Sequence, residues 1–441
     1  MRVNLTRAGR CLNKNLHKRV NATIAILLIV LVYGCSDNGQ ESTSSEAPKV
    51  QKEIKHVPVV VLPQQSYPAQ AEKKREEEER PLKIGVIGPE TGLESHYGLS
   101  VVEGVMAAAK FYNAHGGADG KEIEVLHFDN KDDLGLTREG VKHLINQRVI
   151  AILSAPTGWS TFAPTRMVNR SHTLFIAVGT RRRIGRSGPY VFRASLPDEL
   201  ATTELISYTT NELGYKNYAL VTASQYDYSL DLSSLFKQAV LKFNGSIKID
   251  ADTYDTYTGQ QNLEKVIDAI KSSPDTLHAV IFTGGVEDAV VLAKELKESK
   301  LSLPIIGGED LFTAEYLRGG EGVRGSLLYA TFAPDRKSPK TTEFLQGYKK
   351  GTPDRFAALA YDSFMLVAAA IREAGTTKPT KVREALAGIK GFEGATGTIS
   401  FSPEGSIVKH PFIYRVEGGD KGEKFVLLKH QYPAAPSLSN Q

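Results

Sequence analysis

The sequence predicts an α/β chain built as two similar lobes, each a parallel-sheet, doubly wound domain, and three observations carry that prediction. Beyond Pro81, apolar strand segments alternate with helical segments, and such alternation implies a parallel sheet covered by helices on both faces. The alternation then runs through a second time. Before Pro81 the composition changes to Ser, Glu, Gln, Pro and Lys, so the folded body begins there.

The first block opens with the apolar strand Leu82–Ile87, which runs into a Gly/Pro turn and then a helix, Gly98–Ala114, carrying small residues on one face. Strands at Glu122–Phe128, Ile150–Leu153 and Thr173–Ala177 follow, with helices at Leu134–Gln147 and Trp159–Ser171 between and before them. The second block repeats the scheme. Strand Asn217–Thr222, helix Ser229–Phe243, strand Ser246–Tyr254, helix Gln261–Lys271, strand His278–Phe282, helix Val286–Lys297 and strand Pro304–Gly307 succeed one another. Strands at Tyr190–Ala194 and Leu327–Thr331 lie between the blocks and are the natural crossings, which returns the helix Ala357–Ala374 to the first lobe.

The first twenty residues hold Arg2, Arg7, Arg10, Lys14, Lys18 and Arg19 with no acid, and an apolar run from Ala22 to Tyr33 ends at Gly34-Cys35. That run is shorter than the roughly 20 residues a membrane-spanning helix needs, and it reads as a secretion signal. Leu31-Val32-Tyr33-Gly34-Cys35 resembles a lipobox, with Tyr33 bulkier than the usual small residue. Cleavage before Cys35 and its lipidation then anchor the body outside the cytoplasm, since two or more acyl chains attach a protein stably. The predicted organisation is a signal peptide over 1–34, a flexible tether over 35–80, one lobe from 81–195 plus about 330–390, the other from 196–329 plus about 391–430, and a disordered tail over 431–441. As a flexible coil the tether reaches on the order of 35–40 Å. The formal charge of +4 falls to −2 once the six basic residues of the signal are set aside, and the body shows no basic stripe interleaved with aromatics, so nucleic acid is not an expected partner. Of two cysteines, Cys11 leaves with the signal and Cys35 carries lipid, which leaves no pair for a disulfide.

The opening of the body carries Ile84-Gly85-Val86, Pro89, Thr91-Gly92, Tyr97-Gly98, Asn113, Gly116-Gly117, Gly120, Asp129 and Asp132 in order. This stretch resembles the start of the type I periplasmic solute-binding proteins of ABC transporters, in the branch that takes leucine, isoleucine, valine and related amino acids. Gly391-Phe392-Glu393-Gly394-Ala395-Thr396-Gly397-Thr398-Ile399-Ser400-Phe401 resembles a later signature of the same family. The resemblance implies three hinge strands between the lobes, the third near Gly391–Gly397, and a monomer that serves the transmembrane subunits of an ABC permease.

In open parallel sheets, ligands bind beyond the carboxyl ends of the strands. The loops there are Glu90–Tyr97, Ser154–Thr161 and Val178–Arg183 in the first lobe, and Gln225–Tyr228, Gly284–Glu287 and Gly308–Asp310 in the second. An amino-acid zwitterion needs donors around its carboxylate and acceptors around its ammonium. Ser160 and Thr161 read as the opening of a helix, whose positive end favours a carboxylate; one of them also serves as an ordinary N-cap in the simpler reading. By resemblance, Thr180 contacts the ligand through its hydroxyl and backbone, Glu309 holds the ammonium, and Tyr97 and Tyr228 form aromatic walls. The chain departs from the family at Val286, where a tyrosine is usual, at Trp159, where a small residue is usual, and at Arg181, Arg182 and Arg183, which either grip an extra ligand carboxylate or coat the rim.

No Gly-x-Ser-x-Gly elbow, no His-Glu-x-x-His and no clustered histidines occur, so neither enzyme chemistry, a metal nor a cofactor is expected. The expected function is a lipid-anchored receptor that closes over an amino acid and delivers it to an ABC transporter. A second reading keeps the fold and makes the chain a receptor-like lipoprotein that regulates an envelope enzyme or sensor through protein contacts.

Overall fold

A computed structural model describes residues 81–428, apart from 119, 157–159, 181–182, 256–259, 274–275 and 421. The signal, Cys35, the tether, the tail, Trp159, Arg181 and Arg182 lie outside the described residues.

The first lobe opens as β1 (Leu82–Gly88), α1 (Ser95–Ala114), β2 (Ile123–Asp129), α2 (Leu134–Asn146), β3 (Ala151–Ser154), α3 (Thr165–Ser171), β4 (Leu174–Ala177) and β5 (Val191–Arg193). These strands form one parallel sheet in the order β2-β1-β3-β4-β5. Every residue of β3 and β4 is buried, as befits strands covered on both faces.

The second lobe follows: α4 (Asp198–Asn211), β6 (Asn217–Thr222), α5 (Asp227–Lys242), β7 (Ser246–Asp252), a short hairpin of β8 (Tyr254–Asp255) and β9 (Gln260–Gln261), α6 (Leu263–Lys271), β10 (Ala279–Thr283), α7 (Val286–Glu298), β11 (Ile305–Gly307), α8 (Ala314–Leu317) and β12 (Leu327–Ala330). The chain then returns to the first lobe through α9 (Pro339–Gly347), α10 (Arg355–Ala374), α11 (Pro379–Gly388) and the strands β13 (Phe392–Gly394), β14 (Gly397–Phe401) and β15 (Ile407–Val408). It ends in the second lobe with β16 (Phe412–Gly419) and β17 (Gly422–Leu427), which pair antiparallel at the edge of a sheet ordered β17-β16-β12-β11-β10-β6-β7.

Two glycines explain how α1 and α10 close over the first sheet. A Cβ on Gly98 would lie 1.7 Å from the Pro89 carbonyl oxygen, and one on Gly104 would lie 2.2 Å from that of Ala357, so only glycine permits this approach. Helix α10 is apolar nearly all round and buried accordingly. Asp354 caps it by accepting from the Ala357 amide at 2.9 Å, and Gly375 ends it at φ +58°.

The structure departs from the sequence reading in several places, which include the unforeseen helices α9 and α11 and the edge strands β16 and β17. The helix expected over Trp159–Ser171 is a three-residue 3₁₀ turn, Ser160–Phe162, followed by α3 from Thr165. Pro164, which has no N–H to donate, separates them. Helix α4 was not foreseen between the blocks. The third crossing lies at residues 409–411 rather than near Gly391–Gly397: Ala395, Ile399, Phe401 and Ile407 pack in the first lobe's core, and the Arg193 amide donates to the Gly405 carbonyl at 2.8 Å. The chain enters the second sheet only at Phe412, so residues 391–408 go with the first lobe.

The hinge is charged. Lys409, 4 % exposed, donates to the Thr331 carbonyl at 3.2 Å on the second crossing. Buried Asp362 on α10 accepts from the amides of Ala395 and Thr396 at 2.7 and 2.8 Å and from the Thr396 hydroxyl at 2.6 Å. Burial pulls the Lys409 ammonium down to about 7, against the opposing fields of Asp362 and Glu309, and burial pushes the Asp362 carboxyl up.

Candidate functional site

Between the carboxyl ends of the two sheets lies a cleft of about 1660 Å³, lined from both lobes. Pockets that bury a small ligand run to roughly 300–1,000 Å³, so this cleft is open. On the first lobe, Tyr97 stands in the first turn of α1, after the β1–α1 loop that Asp129 fixes: its carboxylate accepts from the Glu90 amide at 2.8 Å and the Thr91 hydroxyl at 2.6 Å. Burial pushes that carboxyl up, but these hydrogen bonds and one from the Lys131 amide outweigh it, and the net shift is downward. Tyr97 meets Phe356 edge-on at 4.9 Å, which gives the cleft an aromatic wall.

Thr180 follows β4 and lines the cleft. Gly179 before it adopts φ +77°, and a Cβ there would lie 2.6 Å from the Phe356 ring, so glycine is required to set Thr180 in place. The Thr180 carbonyl accepts from Ser195. Ser160 is 6 % exposed and donates to Asp132 at 3.3 Å, while Thr161 is fully buried. Neither opens an α-helix. The helix start expected there is therefore corrected: α3 starts at Thr165, beyond Pro164, so no α-helix end stands behind Ser160 and Thr161.

On the second lobe, Tyr228 donates its hydroxyl to the Gly284 carbonyl at 3.1 Å, and Val286 stands beside it in the lining. Glu309, 9 % exposed, follows β11 and accepts from the Thr331 amide at 3.2 Å. The Thr331 hydroxyl is buried in the cleft wall and has no hydrogen-bond partner among the described residues.

Among the described residues, two arginines of the cleft lining reach from the first lobe to the second. Arg183, which lines the cleft, donates through Nε to Glu199 at 2.7 Å. Arg355 reaches from the start of α10 to Asp310 at 2.9 Å and lies 3.7 Å from Glu309. Sequence reasoning named Tyr97, Thr180, Tyr228 and Glu309, which the structure brings to one cleft, and the loop that holds Asp310, but missed Arg355, Phe356 and Thr331. No local pattern pointed to Arg355, because the helix read from the sequence begins only at Ala357.

Two doubly wound lobes, crossed three times by one chain and open along their strand ends, define a receptor that takes a small solute between its lobes. Residues 81–423 match the periplasmic binding protein family, and the chain belongs to it. It is 26 % identical over 350 residues to Leu/Ile/Val-binding protein homolog 3 of Brucella melitensis, a match covering 77 % of this chain and 92 % of that one. Among solved structures, an ABC transporter substrate-binding protein from Sphaerobacter thermophilus superposes with a TM-score of 0.69 at 20 % identity, covering 79 % of this chain and 97 % of that one. The branched-chain amino acid transporter substrate binding protein LivJ from Streptococcus pneumoniae, in complex with isoleucine, gives 0.61 at 24 %, covering 79 % and 100 %. The family is extracytoplasmic, and among the described residues no helix is long and apolar enough to cross a membrane.

Proposed function

We propose that the chain is a lipid-anchored extracytoplasmic receptor that binds an amino acid, branched-chain or related, in the interlobe cleft and hands it to the membrane subunits of an ABC transporter. One observation carries the reading: a buried carboxylate, Glu309, and a threonine hydroxyl and backbone, Thr180, line one cleft from opposite lobes, beside Tyr97 and Tyr228. These are the two poles that a zwitterion needs. The Brucella relative, a Leu/Ile/Val-binding protein homolog, supports the ligand class. Glu309 accepts from the ligand's ammonium, Thr180 donates to its carboxylate, and the aromatic side chains cover the apolar part. No step of bond making or breaking is assigned to the site.

A thermal-shift screen against the amino acids tests this. A ligand at 100 times its dissociation constant adds about 2.7 kcal/mol of stability. A shift confined to branched-chain and related amino acids is the expected result. Silence across the whole set removes the receptor reading and leaves the regulatory lipoprotein.

A further inference from the structure

Arg355 is the first residue of α10, and a cation there faces the positive end of a twenty-residue helix, which disfavours it. Partners on the other lobe hold it there. Its Nη2 donates to Asp310 Oδ1 at 2.9 Å, its Nη1 to the Glu309 carbonyl at 3.2 Å, and its Nε lies 3.7 Å from Glu309 Oε1. On its own lobe the guanidinium lies 4.6 Å over the Phe356 ring. The guanidinium and both carboxylates line the cleft. Arg355 therefore serves Glu309 as a counter-ion at the place where an incoming ammonium is required, while Asp310 is able to hold the guanidinium alone.

We propose that Arg355 sets the charge requirement of the cleft by supplying Glu309 with a cation whenever the ligand brings none, so that the site accepts amine-free carboxylic acids as well as α-amino acids. The proposal rests on the amino-acid reading above and widens its substrate class. An amino acid takes Glu309 from the guanidinium, which stays on Asp310. An acid of the same carbon skeleton without the amine leaves the guanidinium between both carboxylates. In neither complex is Glu309 left as a buried charge without a partner, which is the costly state.

Isothermal titration on the full chain tests this with L-leucine, L-isoleucine and L-valine paired with 4-methylpentanoate, 3-methylpentanoate and 3-methylbutanoate. Arg355→Met removes the charge and keeps an apolar stem on Phe356; Arg355→Gln serves as a second neutral variant in case the first does not fold. Wild type is expected to bind each amino acid and its amine-free partner within about tenfold of one another. In the variants, the preference for the amino acid over its partner rises by tenfold or more, because only the ligand then brings a cation into the cleft beside Glu309, Lys409 lying buried in the hinge against Asp362 and the Thr331 carbonyl. An unchanged preference with amino-acid binding retained overturns the role of Arg355 and leaves the receptor reading standing, as does an equal loss of both partners, the mark of a merely structural residue. Failure of every amino acid on wild type overturns the receptor reading and the proposal with it.

Discussion

Thr180 and Glu309 face the cleft from opposite lobes, and in the proposed reading each meets one charged end of a zwitterion. Removing the hydroxyl or the charge, by Thr180→Ala or Glu309→Gln, leaves a charged ligand group short of a partner at about 1.5–3 kcal/mol. Affinity measured by titration should fall tenfold or more in each, with little change in melting temperature, because both side chains lie at the cleft wall; unchanged binding in both would sink their assigned roles. Lys409 is the opposite case, a residue that supports the fold from inside the hinge. Lys409→Met leaves the buried Asp362 without its compensating cation and should destabilise by about 3–5 kcal/mol, and adding Asp362→Asn should restore part of that loss. The sign of the pH effect follows from the ammonium being pulled from 10.5 to about 7. Between those values the unfolded chain binds a proton there that the folded chain does not, so this group's contribution to stability rises with pH across the window and is flat below it. Asp362, pushed up by burial, acts in the other sense above 3.8. Denaturant melts of wild type and Lys409→Met from pH 5 to 9 should therefore show the gap between them widening above about pH 7.

At the scale of elements, the α1–α10 contact is set by Gly104, and Gly104→Ala forces a methyl to within 2.2 Å of a carbonyl oxygen. Overpacking of that kind costs about 1–3 kcal/mol, and a melt should show it as a lowered transition with the ligand affinity little altered. Most sheet strands were legible in the sequence because parallel strands buried on both faces are continuous apolar runs, as at Ala279–Thr283. Helix α4 was not, because several of its buried positions are polar: Thr202, Glu204 and Thr209 face inward, and Thr202 satisfies its hydroxyl on the Asp198 carbonyl at 2.8 Å. The Gly394–Gly397 turn read as a crossing, yet those two residues pair across a tight hairpin, and a Cβ on Gly394 would lie 2.6 Å from the Asp362 carboxylate. Local pattern does not separate a glycine hairpin from a glycine hinge. Arg355 was invisible for a related reason: its partners lie on the other lobe, 45 and 46 residues earlier, and no periodicity links them.

For the whole molecule, the open cleft and three thin crossings make closure the expected soft motion. Because the proposed ligand contacts sit on both lobes, binding favours the closed form, and small-angle scattering on a chain beginning at Pro81 should report a smaller radius of gyration with ligand than without. The same chain should bind as well as the full protein, whereas Cys35→Ala in the full protein should accumulate as unprocessed precursor on a gel. The interlacing of the lobes has a further consequence, in the order of assembly. The first sheet is complete by Arg193, but α10, which shares the burial of one of its faces with α1, begins at Arg355 after nearly the whole second lobe has been made. A chain emerging N-terminus first therefore holds a finished sheet with part of one apolar face, and the inner side of α1, still uncovered, and these are shielded only when a segment about 160 residues downstream arrives. Long-range closure of this kind slows folding and prolongs the exposure of sticky surface. Substitutions in α10 should accordingly lower the yield of soluble protein more than their effect on final stability implies.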